Sequence, residues 1–489
     1  MKTKKLLFFI FFFILVNCSL IFAQWESDVR LTNNSSMSWT TNLNTKCIAA
    51  GAGGLLHVVW RDHRDGNAEI YYKRSTDGGT VWEQDVRLTN NSSSSSSPSV
   101  SAYGNFVHVV WVDNRDGNNE IYYKRSTNGG LNWENDFRLT NDGANSEYPL
   151  VDASGLNVNI VWTDERDGNR EIYFKRSTNS GANWENDVRL TFDVSLSRNP
   201  FVSIYNNFVN VSWWDNRDGN AEIYYKRSTN NGLTWENDFR LTFENNTSRY
   251  PVISAFASYV YVAWTDFRDG NYEIYFKYST NNGINWSSDT RITNNTANSD
   301  FAYLCASGSN VHLLWIDNRD GNDEIYYKRS TSNGVSWEPD TRLTNNTASS
   351  YGESIAVYDT VVNVVWTDNR DGGDGEIYYK RNRTANVTGI IRYENVVNEF
   401  QLYQNYPNPF NSSTTIKFNL PLRRRVGGMM VLLKIYDISG KEILSLINEN
   451  LEPGTYKISF NAINLPSGVY YYKLQSVDFS KTRKLVISK

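Results

Sequence analysis

Cysteine is almost missing from this chain, with three in 489 residues. Cys18 lies in the apolar N-terminal run, so only Cys47 and Cys305 remain beyond it. Two cysteines build no disulfide framework in an exported protein of this size, and their apolar, strand-like contexts read as small buried thiols. Histidine is as scarce. His57, His63, His108 and His312 lack the spacing of metal ligands, and "DNRDGNNE" puts Arg115 where a calcium loop needs an oxygen, so neither metal nor cofactor is expected. Charge of one sign is also lacking: 49 Lys and Arg stand against 53 Asp and Glu, interspersed, which argues against a nucleic-acid partner. Beyond the first two dozen residues no run is apolar for long enough to cross a bilayer. What the chain has instead is 16 Trp, 31 Tyr and 23 Phe amid Asn, Ser, Thr and Gly, a mixture suited to many short strands joined by turns.

The N-terminus reads as an address. Lys2, Lys4 and Lys5 precede an apolar run from Leu6 to Val16, and Ala23 precedes Gln24. A basic region, a short apolar core and a small residue describe a secretory signal peptide over residues 1–23, cut between Ala23 and Gln24. A lipoprotein reading would use Cys18, but Asn17 is a poor residue before a lipidated cysteine.

One sentence then repeats. The Trp that opens "WxDxRDG" falls at Trp60, Trp111, Trp162, Trp213, Trp264, Trp315 and Trp366, each step being 51 residues (111 − 60 = 51). Each unit reads as four strands, in the second copy "PSVSAYG", "NFVHVVWVD", "NEIYYKRS" and "NWENDFRLT", separated by Gly- and Asn-bearing turns. Four antiparallel strands per repeat spell a β-propeller blade. Fourth-strand segments occur six times and first-to-third sets seven times, the last ending near Arg381. "WESDVRLT" (Trp25–Thr32) matches "WENDVRLT" (Trp184–Thr191) and precedes any first strand. The expectation is all-β: a seven-bladed propeller over residues 24–381, its last blade closed by the N-terminal strand.

At the third turn the first copy reads "STDGGTVW", with Ser75, Asp77, Gly79 and Trp82; the others end on Trp133, Trp184, Trp235, Trp286 and Trp337. These resemble the Asp-box (BNR repeat) of sialidase-like propellers, although Asn or Ser replaces Asp in five of six. Polar side chains capping the turn and a Trp packing between sheets give the box a structural role.

From about Asn398 the vocabulary changes. "YPNPFN", "IYDISGKEI" and "LPSGVYYYKL" lead to a basic-apolar end, and alternating strands between Pro-Gly and Ser-Gly turns read as a small β-sandwich over 400–489, with 382–399 as linker. The module resembles the C-terminal sorting domain of type IX secretion cargo. That resemblance implies dealings with the type IX machinery and passage of the outer membrane, leaving a protein secreted or displayed on the cell surface.

The candidate ligand residues are the Asp–Arg pairs of the repeated motif: Asp62/Arg64, Asp113/Arg115, Asp164/Arg166, Asp215/Arg217, Asp266/Arg268, Asp317/Arg319 and Asp368/Arg370. On an extended strand each pair shares a side with its Trp, with Glu120 and its counterparts across the hairpin. Such a ring could meet sugar carboxylates. The preferred reading is that the three side chains tie adjacent blades together, because sites on a ring usually diverge. Catalysis is not expected. No Phe/Tyr-Arg-Ile-Pro motif of the sialidases occurs, and a sevenfold surface lacks the two unequal carboxylates that a glycosidase needs. The chain is therefore expected to be a monomeric, non-catalytic surface propeller that binds extracellular glycans or surface proteins. A divergent exo-sialidase or other glycoside hydrolase is the alternative, which odd, clustered carboxylates on the loop face of one blade would favour. A protein-binding scaffold is the other.

Overall fold

The computed structural model describes residues 25–488 apart from 41–44, 373, 384, 386–390, 394–398, 412, 422–428, 452, 463–464 and 477–478. Ala23 and Gln24, the expected cleavage pair, lie outside the described residues.

Seven antiparallel sheets follow one another, each ordered first strand to fourth from the ring's axis outward. Blade 2 is the pattern: Ser95–Tyr103, Phe106–Asp113, Glu120–Ser126 and a two-residue outer strand, Phe137–Arg138. Blades 3 to 6 begin at Ser146, Ser197, Ser248 and Ser299. The second strand is buried along nearly its whole length, because each sheet is covered by a neighbour on both faces. The core therefore lies between blades: Val59, Ile70 and Tyr72 of blade 1 pack with Val100, Val109 and Trp111 of blade 2. All seven motif tryptophans are fully buried.

The seventh blade consists of Ser350–Tyr358, Val361–Asp368 and Glu376–Asn382, and its fourth strand is Val29–Arg30 from the other end of the chain. Val29 pairs with Tyr379 and Arg30 with Tyr378. Trp25 meets Tyr327 of blade 6 edge-on at 5.0 Å. The fold is thus a seven-bladed propeller closed by its N-terminal strand.

Blade 1 departs from the constant step. Its first strand is split into Ser38–Trp39 and Ile48–Ala50, both paired with Leu56–Asp62. Extra residues sit between the two halves, ahead of the first motif tryptophan, so the 51-residue step from Trp60 onward does not record them.

The C-terminal part is a β-sandwich. One sheet runs Ile391–Tyr393, Gly454–Asn461, Ser413–Leu420, Gln401–Leu402; the other runs Glu442–Leu451, Met429–Tyr436, Gly468–Ser476, Phe479–Ile487. Their shared core includes Phe418, Leu433, Ile458 and Tyr472. Ile391–Tyr393 pairs with Lys457–Thr455, so this part of the expected linker belongs to the sandwich.

Candidate functional site

The repeated Asp–Arg pairs are occupied by the fold. Arg115 donates from Nε to Asp113 Oδ1 at 2.8 Å and from Nη2 to Oδ2 at 2.6 Å, and its Nη1 reaches Asp136 at 2.8 Å. Its guanidinium lies 4.4 Å from the Tyr122 ring. Asp113 is fully buried and also accepts from Trp111 Nε1 and Ser95 Oγ. Burial works to raise the Asp113 carboxyl, but the bonds from Arg115, Trp111 and Ser95 outweigh it and hold it below 3.8. The same arrangement recurs from Arg64–Asp62–Asp85 to Arg370–Asp368–Asp28.

Asp113, Arg115 and Asp136 all belong to blade 2, so the Arg115 contacts staple the fourth strand to its own hairpin, and the motif reaches the preceding blade only through the entering loop: Asn91 donates from its amide to Glu69 and from Nδ2 to Asp113, and Arg166 meets Asp142 at 3.1 Å. Glu120 likewise binds Arg138 of its own blade. Further ties between blades come from the neighbouring "KR" of the third strand. Lys124 donates to the Leu88 carbonyl of the previous blade at 2.5 Å, and Arg125 to the Ser180 carbonyl of the next at 2.8 Å. The Asp-box residues close their own turn: Ser75 Oγ accepts from Gly79 N and Asp77 Oδ1 from Thr80 and Val81 N, each at 2.9 Å. Trp133 stands edge-on to Tyr72 of the previous blade at 4.9 Å.

The site emerges where the repeat fails. At the start of each first strand, next to the turn that carries the motif, three successive positions read Ser96-Ser97-Pro98, Glu147-Tyr148-Pro149, Arg198-Asn199-Pro200, Arg249-Tyr250-Pro251, Asp300-Phe301-Ala302 and Tyr351-Gly352-Glu353. The strand pairing slips by one residue here in every one of these blades, a β-bulge. In blades 5 to 7 a cleft of about 550 Å³ opens, lined among others by Tyr272, Asp300, Phe301, Asp323 and Tyr351.

Asp300 and Asp323 line it, and Glu353 lies buried near enough for both to act on its charge. Glu353 replaces the Pro or Ala of the other copies and is 5% exposed. Among the described residues neither of its oxygens has a hydrogen-bond partner. Burial pushes its carboxyl up to about 8; Asp300 and Asp323 add to the rise, and only its own amide opposes it. Asp300 differs. Its Oδ1 accepts from Thr265 Oγ1 at 2.7 Å and from Phe301 N at 2.8 Å, although burial still raises it overall. Asp323 is raised by burial and then by Glu324.

Beside them, Arg198 and Arg249 flank Trp214 at 5.6 and 5.5 Å. Among the described residues neither has a carboxylate partner, and both Nε atoms are buried without one. The motif arginines, by contrast, each hold at least two carboxylates, and Arg166 and Arg268 hold three. None of Glu353, Asp300, Asp323, Arg198 and Arg249 was singled out by motif. Their only signal was disagreement between copies at a fixed offset.

Residues 404–488 match the model of the secretion system C-terminal sorting domain. The chain thus carries a type IX export module, which directs it to the cell surface or outside. No curated protein matches the chain. Among solved structures, the polysaccharide lyase Uly1 is similar over 73% of this chain and 98% of its own, with a TM-score of 0.51 and 8% identity. The phage phi92 endosialidase matches over 94% of this chain and 87% of its own (TM-score 0.44, 10% identity). A Trypanosoma rangeli sialidase matches over 94% and 88% (TM-score 0.44, 12% identity). The expectation of a non-catalytic chain is corrected on the fold: the polysaccharide lyase Uly1 is built on the same architecture.

Proposed function

We propose that this protein is an exported glycan-processing enzyme of the glycoside hydrolase class, working at the cleft of blades 5 to 7. The observation that carries the reading is Glu353, a buried carboxyl without a hydrogen-bond partner among the described residues, on which the charges of the cleft residues Asp300 and Asp323 act. Glycoside cleavage needs one carboxyl that keeps its proton near neutral pH and another that is ionised beside it. Glu353 supplies the first, protonating the departing glycosidic oxygen. Asp300, fixed by the Thr265 hydroxyl and the Phe301 amide, supplies the second and stabilises the positive charge that develops on the sugar ring. Arg198 and Arg249 add donors without carboxylate partners on the same face.

A glycan array probed with the secreted protein, followed by reducing-end release from the glycans it retains, tests this. Binding without cleavage of any retained glycan would sink the hydrolase reading.

A further inference from the structure

The bulge residues stand in a conformation that their side chains do not favour. Their φ angles are +50° at Ser97, +54° at Tyr148, +50° at Asn199, +53° at Tyr250, +53° at Phe301 and +66° at Gly352. Glycine takes the left-handed region freely and asparagine tolerates it, whereas a bulky aromatic is strained there. A bulge that only had to bend the strand would use the residues seen at Asn199 and Gly352. Blades 3, 5 and 6 carry aromatics instead, and strained positions kept beside a cleft mark use more often than packing.

Their placement says what the use is. Tyr250 and Phe301, on adjoining blades, lie 4.9 Å apart with their planes 36° from each other, and both are half-buried. Phe301 lines the cleft and follows Asp300 directly. Blade 7 presents no side chain at this position, because Gly352 stands there, and the next residue is Glu353. At the bulge position the wall is thus aromatic in blades 5 and 6 and without a side chain in blade 7, where the preceding Tyr351 lines the cleft.

We propose that Tyr250 and Phe301 form a stacking platform that positions a pyranose by its C–H face against the carboxylates, making them specificity-determining residues. Flat, half-exposed rings suit a hexopyranose with mainly equatorial substituents, whose C–H bonds gather on one face. The proposal rests on the glycan reading above, and the test separates the two.

Phe301→Gly and Tyr250→Gly relieve the backbone and remove the rings. Each full-length variant should melt within about 2 °C of the parent or above it, since glycine is at ease at this φ. Binding of cellotetraose, chitotetraose and β-1,4-galactotetraose is then followed by calorimetry. At least one should bind the parent, and each Gly variant should weaken it by about tenfold or more, with Phe301→Tyr restoring most of the loss. A clear drop in melting temperature in the Gly variants would make the rings structural and overturn the platform. So would unchanged affinity, or no binding of any of the three by the parent. Binding that depends on the rings but leads to no cleavage keeps the platform and removes the hydrolase. Cleavage with KM unchanged in Phe301→Gly does the reverse.

Discussion

Replacing Arg115 with alanine separates a staple from a ligand site at the repeated motif. The guanidinium makes two charge-assisted bonds to Asp113, one to Asp136, and stacks on Tyr122. Its loss leaves Asp113 wholly buried with four neutral donors, Trp111 Nε1, Ser95 Oγ, the amide of residue 115 and, at 3.5 Å, Asn91 Nδ2, and no counter-charge. Removing one member of a buried pair costs about 3–5 kcal/mol. Water can reach this one in part, since the Arg115 side chain is 24% exposed, so the lower end, about 3 kcal/mol, is expected. For a unit of roughly 350 residues that amounts to a fall in melting temperature of about 4 °C. Differential scanning calorimetry on the secreted protein, beside Arg115→Lys, is the assay. Because the contacts stay within blade 2, the damage should be local, and glycan binding at blades 5 to 7 should be unchanged. A loss below about 0.5 kcal/mol with weakened glycan affinity would refute the staple and make the repeated motif a repeated site.

Deleting Trp25–Thr32 exposes the edge of the seventh blade and removes the Asp28 partner of Arg370, so the protein should melt several degrees lower; an unchanged melting curve would contradict closure. Truncation from Phe400 should leave a folded propeller in the periplasm, and surface display of that chain by fractionation would contradict the sorting role. Burial pushes His57 and His108 down to about 3, so the folded state binds fewer protons than the unfolded one below pH 6.5 and stability is lost as pH falls from there. The chain itself uses Asn159, Asn210 and Asn363 at the same offset, and Asn210 meets Tyr225 at 2.6 Å as His57 meets Tyr72 at 2.7 Å. The double variant His57→Asn/His108→Asn should therefore flatten the acid limb of a melting-temperature profile by about 1.4 kcal/mol per histidine per pH unit.

The architecture was legible because repetition states it: a fixed step, alternating strands and a displaced fourth strand leave few topologies besides a closed ring. The insertion between Trp39 and Ile48 escaped because it lies ahead of the first motif tryptophan, where only the Trp25 to Trp60 interval (60 − 25 = 35, against 111 − 82 = 29 from Trp82 to Trp111) records it. The motif drew attention to Asp113 and Arg115, but a sequence does not say whether a charged pair satisfies itself or waits for a ligand. Here a two-residue offset on a turn lets Arg115 fold back onto its own Asp113 and reach Asp136, which saturates it. The chemistry-bearing cluster was invisible for the opposite reason. Asp300 stands on the first strand of blade 6, Asp323 just before its third strand and Glu353 on the first strand of blade 7, and only the packing of one blade on the next brings them near one another. Their trace in the sequence was a Glu in a column of prolines.

Glu353→Gln tests the central claim most directly. The carboxyl is raised to about 8 from 4.5, so between those values the folded chain keeps a proton that the unfolded chain releases, and the fold loses about 1.4 kcal/mol of stability per pH unit as pH rises through that window. The glutamine variant should accordingly equal or exceed the parent's melting temperature at pH 7, while reducing-end release from the retained glycans falls by about 100-fold or more. A parent with no release, or a Glu353→Gln protein that releases reducing ends at the parental rate, would contradict the account.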